Sequence, residues 1–226
     1  GGSSTGYRIA GGKPLLVNEF VPEAIRTYKA NYPDTLILPN DIRDLTPELI
    51  LEKAGIKKGE LDLLDGSPPC SAFSTLGSRE KGWGKTKRYS DLFFEYIRML
   101  RGIKPKTFVA ENVAGLVRGK AKGYFNEIIR ELRASGYHVE AKVLDAKYLN
   151  VPQQRNRLIF VGVRNDLYTK DMKGKLHPKP VNNIIVSEEA FKGLVFTKED
   201  ETADAYIERS VGAVGIETRR ATSKKV

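Results

Sequence analysis

Short apolar runs rich in Val, Ile, Leu and Phe alternate along this chain with longer amphipathic stretches. A short apolar run bounded by turn residues reads as a buried strand, and a longer stretch with one apolar face reads as a helix. The pattern predicts strands over Pro14–Asn18, Thr35–Leu38, Leu61–Asp65, Thr107–Ala110, Val139–Leu144 and Leu158–Val163. It predicts helices over Ser3–Ala10, Pro22–Asn31, Pro47–Ala54, Ser90–Gly102 and Gly123–Ser135. Pro22 and Pro47 stand where a first helical turn tolerates a missing N–H. Gly55, Gly102 and Gly136 follow helical patterns, in the place of a left-handed cap. Strand and helix in alternation predict an α/β fold with right-handed crossovers onto a mostly parallel sheet covered on both faces. A ligand crevice is then expected beyond the carboxyl ends of the strands.

Two stretches break the rhythm. Ser71–Tyr89 is long for a connection inside a compact domain and carries glycines, lysines and arginines around a lone Trp83, which suits a functional lid or a disordered segment. From Lys170 onward the alternation fades, and the tail Arg219–Val226 is small, polar and basic. The expected division is a main domain over residues 1–169 and a second region over 170–226.

Composition narrows the class. The 226 residues, 40% hydrophobic and 29% charged, describe an ordinary globular protein with one good core. No apolar run reaches the roughly 18 residues that span a bilayer, and the start carries no basic-then-apolar leader pattern. One cysteine excludes an internal disulfide, and two histidines, His138 and His177, are too few and scattered for a typical zinc site. A cytoplasmic location and no metal are expected. The net charge of +10 suits a polyanionic partner or a solvated basic surface, because each cation that neutralises a phosphate releases a counterion.

Three segments carry candidate chemistry. In Leu61–Ser74 a strand ends at Asp65-Gly66, turns through Ser67-Pro68-Pro69 and presents Cys70 on a stiff turn. Cys70 is there either a nucleophile or a small buried hydrophobe. In Thr107–Leu116 a strand delivers Glu111 and Asn112; the carboxylate is either chemical or a cap or ion-pair partner. In Val151–Arg157 two arginines, Arg155 and Arg157, enter a strand at i and i+2. They project to one face, as an anion-binding pair or a solvated strand entry.

The order Pro-Pro-Cys, Glu-Asn-Val, Gln-x-Arg-x-Arg, each at a strand boundary, resembles the DNA (cytosine-5) methyltransferase family, from Gly1 to about Leu194. The resemblance implies a Rossmann-like methyltransferase fold. The first strand and the late motifs of the family have no counterpart in the pattern. Gly1-Gly2-Ser3 resembles the end of the family's glycine loop, so Gly2 falls at S-adenosyl-L-methionine. Glu19 and Phe20 match the ribose-binding acid and the aromatic that packs on adenine; Asp41 and Ile42 match the pair at the adenine amino group and face. Pro69 and Leu92 match further cofactor-packing positions. Ser71 stands where many members have Gln, and Gln154 and Asn156 replace the usual basic residue and Glu.

The same resemblance implies a mechanism. Cys70 adds to carbon 6 of a flipped-out cytosine, making carbon 5 nucleophilic. Glu111 holds ring nitrogen 3 and the amino group, while Arg155 and Arg157 orient the base. The loop then closes over the DNA, with Ser74, Arg79, Lys81, Lys85, Lys87 and Arg88 on phosphates. The implied partner is double-stranded DNA, in a bacterial or phage restriction-modification setting; the resemblance leaves open whether a cognate restriction endonuclease system accompanies it and implies no direct protein partner. Residues 1–169 become the catalytic domain and 170–226 the start of a target-recognition region. Competing readings are a tRNA cytosine-5 methyltransferase, a catalytically silent DNA-binding scaffold, and a cysteine hydrolase pairing Cys70 with His138.

Overall fold

The helix ends follow the prolines and small polar residues that the sequence places there. In the computed structural model, which describes residues 1–69, 92–181 and 184–185, α1 spans Gly2–Ile9, α2 Pro22–Asn31 and α3 Pro47–Ala54. Pro22 and Pro47 open their helices. Thr46 caps α3 by accepting from the Leu49 N–H at 3.2 Å, and Gly55 ends it in the left-handed region at φ 67°. Two further helices, α4 (Leu92–Ile103) and α5 (Lys122–Ala134), complete the set. Cys70 and the loop positions Ser74, Arg79, Lys81, Lys85, Lys87 and Arg88 lie outside the described residues.

The strands are β1 (Leu16–Asn18), β2 (Leu36–Leu38), β3 (Leu63–Gly66), β4 (Thr107–Val113), β5 (Tyr137–Asp145) and β6 (Asn156–Arg164). Among the described residues β1 pairs in parallel with β2 alone, and a second sheet runs β3-β4-β6-β5. β3 and β4 are parallel, as the βαβ pattern predicts, but β6 is antiparallel to both β4 and β5. The reason is the connection. Only Ala146–Arg155 separates β5 from β6, with no crossover helix, and a short link can join only antiparallel neighbours. Strict alternation therefore holds up to β5 and fails at β6.

The core of the second sheet lies under α4 and α5. Phe93, Tyr96, Ile97 and Leu100 from α4 and Ile128 and Leu132 from α5 pack on Phe108, Ala110, Tyr137, Val139, Leu158 and Phe160 of the strands. β4 buries Phe108, Ala110 and Asn112 and leaves the alternate residues half-buried, so these two helices cover one face only. A smaller cluster of Leu45, Met99 and Ile103, joined by Leu38, Ile42 and Leu64, ties α4 to β2 and β3.

One expected cap is elsewhere. Gly102 lies inside α4, and a Cβ built on it would stand 2.2 Å from the Pro47 side chain, so this glycine serves the close approach of α3 and α4. Lys104 takes the left-handed conformation instead, at φ 57°. Its carbonyl accepts from Arg164 Nη1 at 3.0 Å, and its Nζ donates to the Ser135 carbonyl at 2.7 Å. Gly136 caps α5 as expected, at φ 89°.

Gly1–Val186 form one compact unit, which holds every described residue. Residues beyond Thr169 lie along β5 and the turn after it: Gly174 N donates to Glu140 Oε1 at 2.7 Å and Val181 N to the Tyr148 carbonyl at 2.8 Å. Among the described residues no helix is long and apolar enough to cross a membrane, and no cluster of acidic, histidine or cysteine side chains could hold a metal ion.

Candidate active site

Parallel pairing brings the carboxyl ends of neighbouring strands together, and the predicted positions sit at those ends. After β1 come Glu19 and Phe20; after β2 come Asp41 and Ile42. Asn18 pins the two ends, its Nδ2 donating to the carbonyls of Leu38 at 3.0 Å and Asn40 at 2.7 Å. Glu19 Oε1 accepts from the Val21 N–H at 2.9 Å, and Phe20 is 59% exposed, an aromatic face open to a ligand. Asp41 opens a single helical turn, Ile42–Asp44, and its carboxylate is paired with Arg43 through both side chain and backbone.

The β3–β4 pair carries the second half. β4 runs three residues beyond its predicted end, so Glu111 and Asn112 lie inside the strand, on opposite faces. Asn112, 3% exposed, donates from Nδ2 to the Pro68 carbonyl at 3.1 Å and accepts from the Val113 N–H at 2.8 Å. The carboxylate strand is thereby bonded to the Ser-Pro-Pro turn that leads into Cys70. Pro69 is exposed, and Leu92, half-buried, is the first residue of α4. Gly2 is the first residue of α1 and is exposed.

Register explains the partner of Glu111. Glu111 faces Ile159 and Val113 faces Arg157, so Glu111 and Arg157 are diagonal neighbours on one face of the antiparallel pair. Arg157 Nε reaches Glu111 Oε1 at 2.6 Å. The pair is partly solvated and worth about 0–1 kcal/mol in stability, so orientation is its main effect. Arg155 is not brought to the same carboxylate. It precedes β6, its side chain is exposed, and among the described residues it forms no ion pair. Its backbone is held, because Arg155 N donates to Asp145 Oδ1 at 3.1 Å and Ala146 N donates to the Arg155 carbonyl at 3.0 Å.

Two residues that pattern reading passes over complete the picture. Asp145 closes both ends of the Ala146–Arg155 loop, accepting also from Lys147 N at 3.3 Å; an Asp directly before a turn is the available sign of such a cap. Asp65, at the carboxyl end of β3, accepts from the Tyr7 hydroxyl of α1 at 3.0 Å. Water reaches this carboxylate, yet crowding by protein outweighs the hydrogen bonds from Tyr7 and Ser3 and pushes its carboxyl above the usual range. Burial first, and then Asp65, push the Tyr7 hydroxyl up. His138 is remote from this constellation: it stacks on Tyr168 at 3.6 Å between ring centroids, with Glu140 Oε1 3.9 Å from its Nε2.

Known proteins resemble this chain in sequence and in fold. The chain is 33% identical over 162 residues to the Type II methyltransferase M.AgeI of Thalassovita gelatinovora, covering 72% of this chain and 37% of that protein. It is 36% identical over 193 residues to the Type II methyltransferase M.PspPI of a Psychrobacter species, covering 85% of this chain and 44% of that protein. The chain thus spans less than half the length of these curated relatives. Two solved structures share the fold. A prophage-encoded protein of E. coli, solved as a candidate DNA modification methyltransferase, superposes with a TM-score of 0.70 at 23% identity, over 92% of this chain and 60% of that one. The DNMT2 protein of Spodoptera frugiperda gives 0.59 at 23% identity, over 82% and 51%. A family model described as C-5 cytosine-specific DNA methylase matches residues 1–212. With that match, and with Pro-Pro-Cys, Glu-Asn-Val and Gln-x-Arg-x-Arg following one another along it, the chain belongs to the C-5 cytosine-specific DNA methylase family.

Proposed function

We propose that this chain carries the catalytic segment of a cytoplasmic DNA (cytosine-5) methyltransferase of restriction-modification type, acting on double-stranded DNA with S-adenosyl-L-methionine. One arrangement supports it above the others. Asn112 bonds the turn before Cys70 to β4, and Arg157 steadies Glu111 on the adjacent position of the same strand. Nucleophile turn and carboxylate therefore move as one body, which the addition of a thiolate to a ring held by that carboxylate requires. The region from 170 onward begins target recognition, and the Ser71–Tyr89 loop, with Ser74 and its cations, closes over DNA.

The cofactor fits the residues at the ends of β1 and β2. Glu19 offers an acceptor to ribose hydroxyls, Phe20 an exposed ring to adenine, Asp41 and Ile42 an acceptor and an apolar edge to the base, with Gly2, Pro69 and Leu92 as packing positions. When bound, S-adenosyl-L-methionine supplies an electrophilic methyl group. The chain's own task is to make cytosine carbon 5 nucleophilic. Cys70 Sγ bonds to carbon 6 and the ring electrons shift toward carbon 5 and nitrogen 3. Glu111 holds nitrogen 3 through a shared proton, and Arg157 keeps that carboxylate aimed. Arg155 supplies positive charge that favours the thiolate. Once carbon 5 has bonded to the methyl group, loss of the carbon 5 proton to a base from solvent re-forms the 5,6 double bond and expels Cys70 Sγ as thiolate.

The test is labelled methyl transfer to duplex DNA and to tRNA, with trapping on duplex DNA carrying 5-fluorocytosine. The chain is expected to label duplex DNA and form a covalent adduct, and Cys70→Ser is expected to lose both while still binding DNA. Preferential labelling of tRNA would overturn the substrate, and undiminished transfer by Cys70→Ser would overturn the nucleophile.

A further inference from the structure

We propose that Arg98 is the positioning residue for the adenine end of the cofactor pocket, an inference that rests on the function proposed above. Arg98 lies in the middle of α4, six residues after Leu92, and is not among the positions that the motifs single out. Its guanidinium reaches across to the turn after β2. Nη1 donates to the Leu45 carbonyl at 2.9 Å and Nη2 to the Ile42 carbonyl at 2.8 Å. Nε donates to Glu95 Oε2 at 2.7 Å, one turn back on the same helix.

The geometry of the fork makes this more than surface charge. The turn Ile42–Asp44 is a single 3-10 turn closed by two backbone bonds, Asp44 N to the Asp41 carbonyl at 3.0 Å and Leu45 N to the Ile42 carbonyl at 3.3 Å, and a helix of one turn gains little stability from its own bonds. Its Arg43 N–H is satisfied from within, by the Asp41 carboxylate. Its Ile42 carbonyl and that of Leu45, just past its end, are met by two arms of one planar cation, which charge-assisted bonding makes short and directional. Glu95 braces the third arm, so the plane of the guanidinium is set by α4 itself. Met99, Ile103, Leu45 and Ile42 pack in one apolar cluster between the same two segments.

Asp41 and Ile42 are therefore placed relative to α4, and α4 starts at Leu92. Arg98 acts on the slot through the backbone that carries Asp41 and Ile42, not by contact with a ligand. A lysine here reaches one carbonyl and loses the fork; a glutamine keeps one neutral donor group and loses the charge. The consequence is selective. Without the fork the slot loosens around the base, while Cys70, Glu111 and Arg157 stand on other elements.

The experiment compares S-adenosylhomocysteine with S-inosylhomocysteine, in which an oxo group replaces the adenine amino group, by calorimetric binding to the wild-type chain, Arg98→Gln, Arg98→Lys and Glu95→Gln. Thermal unfolding is followed in parallel. Wild type is expected to prefer the adenosyl compound. In Arg98→Gln that preference is expected to fall by roughly 10-fold, about the worth of one charge-assisted hydrogen bond. Arg98→Lys should fall between the two, and Glu95→Gln should shift the same way by less. In methyl transfer the Gln variant should raise the cofactor KM and leave kcat within about twofold. Variants that keep the wild-type preference, or that lose affinity for both compounds equally in step with lost thermal stability, overturn the inference. If wild type binds neither compound, the cofactor reading itself has failed. If Asp41→Ala loses the preference and the Arg98 variants do not, only the role of Arg98 has failed.

Discussion

Replacing Asn112 with alanine would separate the carboxylate strand from the cysteine turn while leaving both sequences intact. Two hydrogen bonds are lost, from Nδ2 to the Pro68 carbonyl at 3.1 Å and from Val113 N to Oδ1 at 2.8 Å. Each is worth about 0.5–1.5 kcal/mol net, and a buried group left without a partner costs about 1–3 kcal/mol. Asn112 is 3% exposed, so its own position stays dry, while the half-buried Pro68 can recruit water. About 2–4 kcal/mol of lost stability is the resulting expectation. The effect on chemistry should be larger than this suggests, because a displacement of roughly 1 Å at a reacting group costs on the order of 100-fold in rate. Urea unfolding measures the first quantity, and the rate of adduct formation with 5-fluorocytosine DNA measures the second. Asn112→Asp sharpens the test, since it keeps the shape and presents an oxygen to the Pro68 carbonyl. That acid favours its protonated form in the native state, so the variant's stability deficit should grow as pH rises through its elevated pKa and shrink in acid. Wild-type unfolding midpoints and adduct rates in Asn112→Ala would refute the coupling.

Gly162→Ala is expected to destabilise strongly, because the new Cβ would stand 2.0 Å from Cε1 of the fully buried Phe108 ring opposite it in β4. Overpacking of this kind costs about 1–3 kcal/mol or more, and a melting temperature equal to wild type would contradict it. For Asp65→Asn the sign of the pH dependence is set by its raised carboxyl. The wild-type native state holds that proton more tightly than the unfolded chain, so its stability contribution is full below the ordinary carboxylate range and is lost as pH rises through the native pKa. The Asn variant, which does not titrate, should gain on wild type from acid toward neutral pH in unfolding experiments. Parallel stability curves would show that Asp65 is not perturbed in this direction.

Much of this molecule is legible from local chemistry alone. The prolines at 22 and 47 and the glycines at 55 and 136 act within one turn of themselves, so α2, α3 and two caps follow from near neighbours in the chain. The apolar run Thr107–Ala110 locates β4, and the motif order locates the ends of β1 to β4 as the candidate site. What local signals do not contain is which segment lies alongside which. The reversal of β6, the Glu111–Arg157 diagonal and the preference of Gly102 for helix contact over a cap all depend on neighbours far away in the chain. So do the bonds from Asn112 to Pro68, 44 residues back, and from Arg98 to Ile42, 56 residues back. Residue types and their spacing determined the elements and the chemistry available at their ends. Register and packing decided which of those groups meet, because a hydrogen bond or ion pair is set by distance in space, and the chain pattern carries only distance along the sequence.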